Sequence, residues 1–370
     1  MSNLVELSIN GAKFVFWKNV RITRNIDSID TVSFSAPFEH DAPGFRENFR
    51  PFGFNPVLIS VDGESLFTGT MLTPVPNVSA DERTIEVSCY AKCGVLMDCT
   101  MPADALPLEY NNLNLKEIAE AMSKPFNVDV DFQGAPGAKF GRVACEPDSR
   151  VFDFLTDLAK QRGYVMSSNE SGDLVFWKST ISRPVAILTQ GESPLKDITP
   201  EFRPQEFYSD LTGLTPVEIG KPAAKKTVKT KKKKDEKAVP KPKAPKPAKK
   251  YSKFSVEAEA EVFRPLVFKI NDVDGADTES ATKAALSRML GNMATYTATV
   301  AAWRDSNGAI WKPNTKIKVR APDAMIYDYY EFEIKSVDLS QDENEETATL
   351  TLALPGSFSG EPPEEFPWEL

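Results

Sequence analysis

The sequence predicts a mainly β protein with α+β parts: two β-barrel or sandwich domains flanking a middle α+β domain. Three observations predict it. Short runs with strand alternation fill the first ~100 residues and return after ~200. Helical spacing occurs twice between them, each time followed by a short strand. A Lys/Pro/Ala tract at 221–250 interrupts the second β region. The length of 370 residues suits two to four domains. The expected division is 1–98, a β-domain; 99–195, the middle α+β domain; 196–355, a second β-domain interrupted at 221–250; and 356–370, a tail.

In the first region, Leu4–Ile9 and Lys13–Trp17 flank Asn10-Gly11, a strong hairpin signal. Val20–Thr23 and Thr31–Ser35 follow. Val57–Val61 and Ser65–Leu72 flank a second hairpin signal, Asp62-Gly63. Arg83–Tyr90 alternates Ile85, Val87 and Cys89 with Thr84, Glu86 and Ser88. The Pro/Gly/Phe/Arg-rich segment Glu39–Asn55 is too long for an ordinary turn and is expected to make contacts.

In the middle region, Asn114 with Glu117 resembles a capping box. Leu115, Ile118, Ala119 and Met122 share one helical face, and Pro125 ends the helix. A strand is expected at Asn127–Phe132. Asp148 or Ser149 should cap a second helix carrying Val151, Phe154, Leu155, Leu158 and Ala159, ended by Gly163. Tyr164–Ser168 and Leu174–Trp177 flank a turn containing Gly172.

In the last region, Glu206–Glu218, Phe254–Val262 and Phe263–Ile270 read as extended. Asp277 or Thr278 opens a helix to about Met293. Strands are expected at Thr295–Trp303, Thr315–Arg320, Glu331–Val337 and Thr347–Leu354. Phe366, Trp368 and Leu370 are candidate C-terminal anchors.

Charge is segregated. The net charge is −9, and the tract, with fourteen lysines against Asp235 and Glu236, carries +12, leaving −21 on the other 340 residues. A protein that grips phosphates with its folded surface shows the opposite sign there. The tract lacks the aromatic platforms of single-strand binders. It reads as a solvated insertion, as an electrostatic arm docking on an acidic surface through Lys231, Lys232, Lys233 and Lys234, or as a nucleic-acid or membrane contact. The Glu257, Glu259, Glu261 stripe is a candidate acidic surface, and equally an ordinary solvent face. No apolar run approaches the roughly 18 residues of a membrane span, and no secretory signal is visible at Met1-Ser2-Asn3-Leu4.

Nothing in the sequence points to an enzyme, a metal or a cofactor. His40 is the sole histidine, so a nucleophile–base pair has one poor option. Cys89, Cys93 and Cys99 lie close together with Cys145 further on, but no C-x-x-C pair occurs, and buried thiols are the simpler reading. Asp129/Asp131 and Glu345/Glu346 are more simply solvated than catalytic.

Trp303-Arg304-Asp305 followed by Gly308-Ala309-Ile310-Trp311-Lys312-Pro313-Asn314 resembles the signature hairpin in the C-terminal tube-type domain of Mu-like phage baseplate hub proteins. Asn307-Gly308 would make the turn, Trp303 and Trp311 would pack across the strands, and Pro313-Asn314 would end the excursion. Val61–Gly69 resembles the family's N-terminal hairpin. Leu113–Phe126, Phe152–Gly163 and Gly172–Trp177 resemble its middle region. Glu257–Pro265, Leu266–Ile270 and Thr278–Leu290 resemble its run into the second tube-type domain. The lysine tract departs from the family's shorter connection.

The resemblance implies two tube-type β-domains per chain and a homotrimeric ring. That ring would join a hexameric tail tube to a trimeric spike, beside other baseplate proteins, in a virion tail assembled in the host cytoplasm. DNA would pass transiently, without a stable nucleic-acid complex, through a lumen that the Glu257, Glu259, Glu261 stripe could line. Rival readings are a distal tail or tip protein of a non-contractile tail, a tail-associated cell-wall hydrolase, and a nucleic-acid module carried by the tract.

Overall fold

Eleven strands in a row, from both ends of the chain, form the backbone of the molecule. The computed structural model describes residues 3–79, 83–178, 183–217, 250–257, 262–270, 278–358 and 365–369. The first β region comprises β1 (Val5–Ile9), β2 (Ala12–Phe14), β3 (Asn19–Asn25), β4 (Thr31–Pro37), the short helix α1 (Phe45–Asn48), β5 (Pro56–Val61), β6 (Glu64–Val78) and β7 (Arg83–Ala91). Both expected hairpin turns form. Asn10 and Gly11 sit at φ 54° and 76°, and Asp62 and Gly63 at 51° and 84°, as a tight turn with two left-handed residues requires. Val5, Leu7 and Ile9 on β1 and Val57, Ile59 and Val61 on β5 point into the core, as their alternation predicts.

The middle unit holds α2 (Val95–Asp98), β8 (Glu109–Leu113), α3 (Leu115–Ser123), β9 (Val130–Phe132), β10 (Phe140–Ala144), α4 (Val151–Gln161), β11 (Val165–Ser168) and β12 (Leu174–Trp177). The capping box forms: Asn114 Oδ1 accepts from Glu117 N at 3.0 Å, and Glu117 Oε2 accepts from Asn114 N at 2.7 Å. Two local expectations fail. The residue that caps α4 is Arg150, not Asp148 or Ser149, and its side chain makes no cap bond. Ser149 is tied into a turn on Glu146, while Arg150 is held extended by its bridge to Thr100 and Val151 N donates to Cys99 O. The strand expected from Asn127 begins at Val130, because Asn127 takes φ 55° at the end of the preceding turn.

The last region contains β13 (Ala186–Thr189), β14 (Leu195–Phe202), β15 (Asp210–Val217), β16 (Lys250–Glu257), β17 (Pro265–Lys269), α5 (Thr278–Met293), β18 (Ala294–Val300), β19 (Lys316–Ala321), β20 (Ile326–Gln341) and β21 (Glu346–Ala353). β15 pairs antiparallel with β16 and parallel with β17, under α5. Val217 faces Lys250, so the lysine tract joins two paired strands. Residues 218–249, including Lys231, Lys232, Lys233 and Lys234, lie outside the described residues, as do Glu259, Glu261 and Leu370; Glu257 is described in its backbone alone.

The main sheet runs β14-β18-β21-β20-β3-β4-β7-β6-β5-β1-β2, with β19 on β20 and β13 on β19. The two β regions therefore share one sheet through β20 and β3, which pair from Ser336↔Asn25 to Gln341↔Val20. Each strand removes the other's unpaired edge. Residues 186–189, assigned by the sequence to the middle domain, pair with β19. No strand is expected there from the sequence, and the partner lies 131 residues onward.

The two halves repeat. Strands β1, β3, β4, β5, β6, β7 recur as β13, β14, β18, β19, β20, β21 in the same chain order. They also recur in the same neighbour order, β3-β4-β7-β6-β5-β1 against β14-β18-β21-β20-β19-β13. Register matches as well. A bulge falls between Met71 and Thr73 on β6 and between Ile334 and Ser336 on β20. From there each long strand runs the same distance to its turn, ending at Val78↔Arg83 and Gln341↔Glu346. The row Met71–Cys89–Val32–Ile22 corresponds to Ile334–Leu352–Tyr296–Pro200. One edge differs: β1 pairs antiparallel with β5, and β13 parallel with β19. The small sheet and α5 are inserted between β14 and β18, where the first half has only the short link from β3 to β4.

Candidate functional site: the seam between the two halves

The tryptophan hairpin connects β18 to β19 and carries the seam's outer clasp. Trp303 and Trp311 are fully buried. Trp303 Nε1 donates to Thr347 O at 2.8 Å and Ser340 O at 3.2 Å, and Trp311 Nε1 donates to Ala302 O at 2.9 Å. Both indoles thus satisfy their only polar atom inside the core. The turn is organised by Asp305, whose Oδ1 accepts from Asn307 N at 2.8 Å and Ala309 N at 3.0 Å. Gly308 takes φ 82°, so it supplies the left-handed residue while Asn307 does not. Asn314 at φ 61° turns the chain, and its N–H donates to Ile334 O at 3.0 Å before β19 begins; Pro313 precedes it.

Arg304, between Trp303 and Asp305, reaches the other half. Its Nη2 is 2.6 Å from Asp62 Oδ2, its Nε donates to Asn3 Oδ1 at 3.0 Å, and its Nη1 donates to Gly308 O at 2.9 Å. Asn3 N in turn donates to Glu346 Oε2 at 2.9 Å, and Gln341 Nε2 donates to Asn3 O at 3.2 Å. The Leu4 N–H and then the Arg304 guanidinium hold the Asp62 carboxyl below its ordinary range. The two hairpins noted separately in the sequence, Asp62-Gly63 and the tryptophan hairpin, therefore meet across the β3–β20 seam.

Deeper in the seam all three parts of the chain converge. Arg24 on β3 and Asp30 just before β4 are 5% and 2% exposed. Arg24 Nη2 donates to Glu170 at 2.7 Å, and its Nε lies 3.5 Å from Asp30 Oδ2. Lys312, next to Trp311, lies 3.5 Å from Glu170. Asp30 N donates to Ser168 Oγ at 2.9 Å, Trp177 Nε1 donates to Ile26 O at 3.1 Å, and Ser167 Oγ donates to the carbonyls of Asn25 and Ser28. Burial pushes Asp30 up to about 7, against the pull of Arg24. Burial also raises Glu170, but Arg24 and hydrogen bonds outweigh it and leave that carboxyl low. Arg24 escaped notice in the sequence. The signal was present: it shares the inward face of β3 with Val20 and Ile22, an unusual place for a charge.

The middle unit is locked onto the first half beside this cluster. Cys93 N donates to Gly172 O at 2.7 Å, and Lys92 pairs with Asp173 at 2.8 Å. Cys89, Cys93 and Cys145 are buried free thiols, and burial pushes Cys89 to about 12 and Cys145 to about 11. Among the described residues no group of three or more His, Cys, Asp or Glu is gathered as metal ligands. His40 lies on the exposed segment between β4 and β5, 3.1 Å from Asp41. Asp129 and Asp131 do not converge with the seam's buried charges, except that Asp131 lines the rim around Glu170. Phe366 stacks on Trp368 at 4.9 Å, and Trp368 meets Phe202 of β14 edge-on at 5.4 Å. Within the chain these two anchors grip its own sheet.

Two family models match the chain: the second domain of gp44-like baseplate hub proteins over residues 93–178, and the fourth domain of the Mu phage baseplate assembly protein GpP over residues 276–361. The first covers the middle unit, and the second covers the segment from α5 through β21, including the tryptophan hairpin. The baseplate hub protein gp44 of Escherichia phage Mu is 23% identical over 335 residues, which is 87% of this chain and 80% of that protein. The chain is a homologue of the Mu-type baseplate hub proteins. Its fold recurs over nearly whole chains. The 43 kDa tail protein of prophage MuSo2 from Shewanella oneidensis gives a TM-score of 0.76 at 22% identity, covering 96% of this chain and 99% of that one. A tail protein from Neisseria meningitidis MC58 gives 0.75 at 16%, covering 97% and 99%. An Escherichia coli component of the type VI secretion system, described as similar to the T4 tail proteins gp27 and gp5, gives 0.56 at 12%, covering 94% and 76%. This chain thus resembles baseplate hub and tail proteins over most of its length. Among its described residues, no helix is long and apolar enough to cross a membrane.

Proposed function

We propose that this hub homologue works without catalysis, as a trimeric ring that adapts a hexameric tail tube to a trimeric spike and surrounds the path of ejected DNA. The observation that carries the proposal is the internal repeat. Two equivalent β units per chain, three chains per ring, present six similar units around an axis of true threefold symmetry. One face can then match six tube subunits while the other matches three spike chains. The seam's buried polar network fixes the two units of one chain rigidly, as a symmetry adaptor requires. The folded body's negative charge suits a channel for DNA, since like charge keeps phosphates from sticking. In this reading the Glu257, Glu259, Glu261 stripe faces that channel, and the lysine tract docks on an acidic surface of a neighbour.

The test is the native mass of the purified protein by light scattering, alone and mixed with its tube and spike partners. A trimer in either condition supports the ring. A monomer in both, or a closed ring of another number, overturns it. Incubation with peptidoglycan should clear nothing; clearing would restore the hydrolase reading.

A further inference from the structure

The repeat supplies a template for a contact that a single chain leaves unmade. Within the chain, the excursion between β18 and β19 of the second half reaches the β5–β6 turn of the first half through Arg304 and Asp62. The equivalent elements in the opposite sense are the excursion between β4 and β5, residues 38–55, and the β19–β20 turn, residues 322–325. In the chain each is bonded within its own half, Asn48 to Asn10 and Asp323 to Gln190, and each still exposes large apolar side chains. Phe52 and Phe54 are 86% and 58% exposed, each with a left-handed backbone, φ 59° and 48°. Met325, also left-handed at φ 59°, is 48% exposed, and Tyr327 beyond it is 47% exposed. Non-glycine residues in that conformation with large apolar side chains held in water mark a contact surface.

The strand edges beside these tips say why the contact is apolar. At the internal seam Ile26 N donates to Lys335 O, so the alternate pairs Arg24–Val337, Ile22–Leu339 and Val20–Gln341 exchange backbone bonds. On the free outer part of β6, Pro74 and Pro76 stand where Val337 and Leu339 stand on β20. On the free edge of β14, Pro200 stands where Ile22 stands on β3. Prolines there remove the donors and blunt both edges. A second copy meeting these edges cannot rebuild the backbone ladder of the internal seam, and side chains must supply the adhesion.

We infer that the Phe52–Phe54 tip of one copy seats on the Pro322–Met325 turn of a second copy, a head-to-tail contact repeated around the ring. The inference rests on the ring reading and adds its interface. Such a heterologous contact closes when the rotation per copy is one third of a turn.

Two measurements test it. The first is the native mass of a Phe52→Asp, Phe54→Asp variant. Both side chains lie outside the core, so its melting curve should match that of the unsubstituted protein while the trimer falls to monomer. The second mixes Phe54→Cys copies with Met325→Cys copies and looks for a disulfide dimer on mild oxidation. A dimer in the mixture, absent from either variant alone, supports the contact. A trimer that survives the double substitution and gives no mixed disulfide overturns the contact and leaves the ring standing. Absence of any trimer from the unsubstituted protein, alone and with its tail partners, overturns both.

Discussion

Trp303 shows what a single residue does for this seam. It is wholly buried and caps two carbonyls, those of Ser340 near the end of β20 and Thr347 at the start of β21. Trp303→Ala removes the ring and leaves both carbonyls without that donor, so a loss of about 3–5 kcal/mol is expected in urea unfolding. Asp305→Ala breaks two turn bonds and should cost about 1–2 kcal/mol. Asp30 predicts a pH signature. Its folded value is raised to about 7, so its contribution is fully present below about pH 4 and is lost as pH rises toward 7. Relative to Asp30→Asn, the unsubstituted protein should lose stability steadily as pH rises across that window. Parallel stability–pH curves for the two would show that Asp30 is not the buried proton site.

At the scale of elements, the hairpin β11–β12 decides whether the middle unit moves with the first half. A Cβ on Gly172 would stand 2.1 Å from Thr68 O and 2.8 Å from Lys92 Cβ, and the residue sits at φ 79°. Gly172→Ala should therefore force the hairpin off β6, costing more than about 1 kcal/mol. Hydrogen exchange should rise at Cys93, whose amide is held by Gly172 O, while α3 and α4 stay protected. Unchanged exchange at Cys93 would show that the docking tolerates the methyl group. Elements of this kind were unevenly legible in the sequence. Hairpins with Asn-Gly or Asp-Gly turns, and α3 with its capping box, were readable because their signals are local. The pairing of β8 with β10, across α3 and β9, was missed, since Glu109–Leu113 is polar and largely exposed. β20 runs from Ile326 rather than Glu331, because its first half, rich in tyrosine and acid, pairs with β19 while its second half pairs with β3 and β21.

For the whole molecule, the class was legible and the connection was not. Alternation told strand from helix, and the residues of the tryptophan hairpin pointed to the baseplate hub family. No local pattern could say that β20 and β3, more than 300 residues apart, share a ladder, or that Arg304 reaches Asp62. The repeat was equally hidden: Met71 and Ile334, or Ile22 and Pro200, correspond in register without corresponding in type. The lysine tract is the loudest signal in the sequence, yet its described flanks, Val217 and Lys250, pair in the small sheet and not in the ladder that joins the halves. The central claim is that this ladder makes two equivalent units from one chain for a ring of three. Electron-microscopy projections of the purified assembly along its axis test it most directly. The account predicts six similar densities in alternating pairs with threefold symmetry; three lone densities, or a ring of any other order, would contradict it.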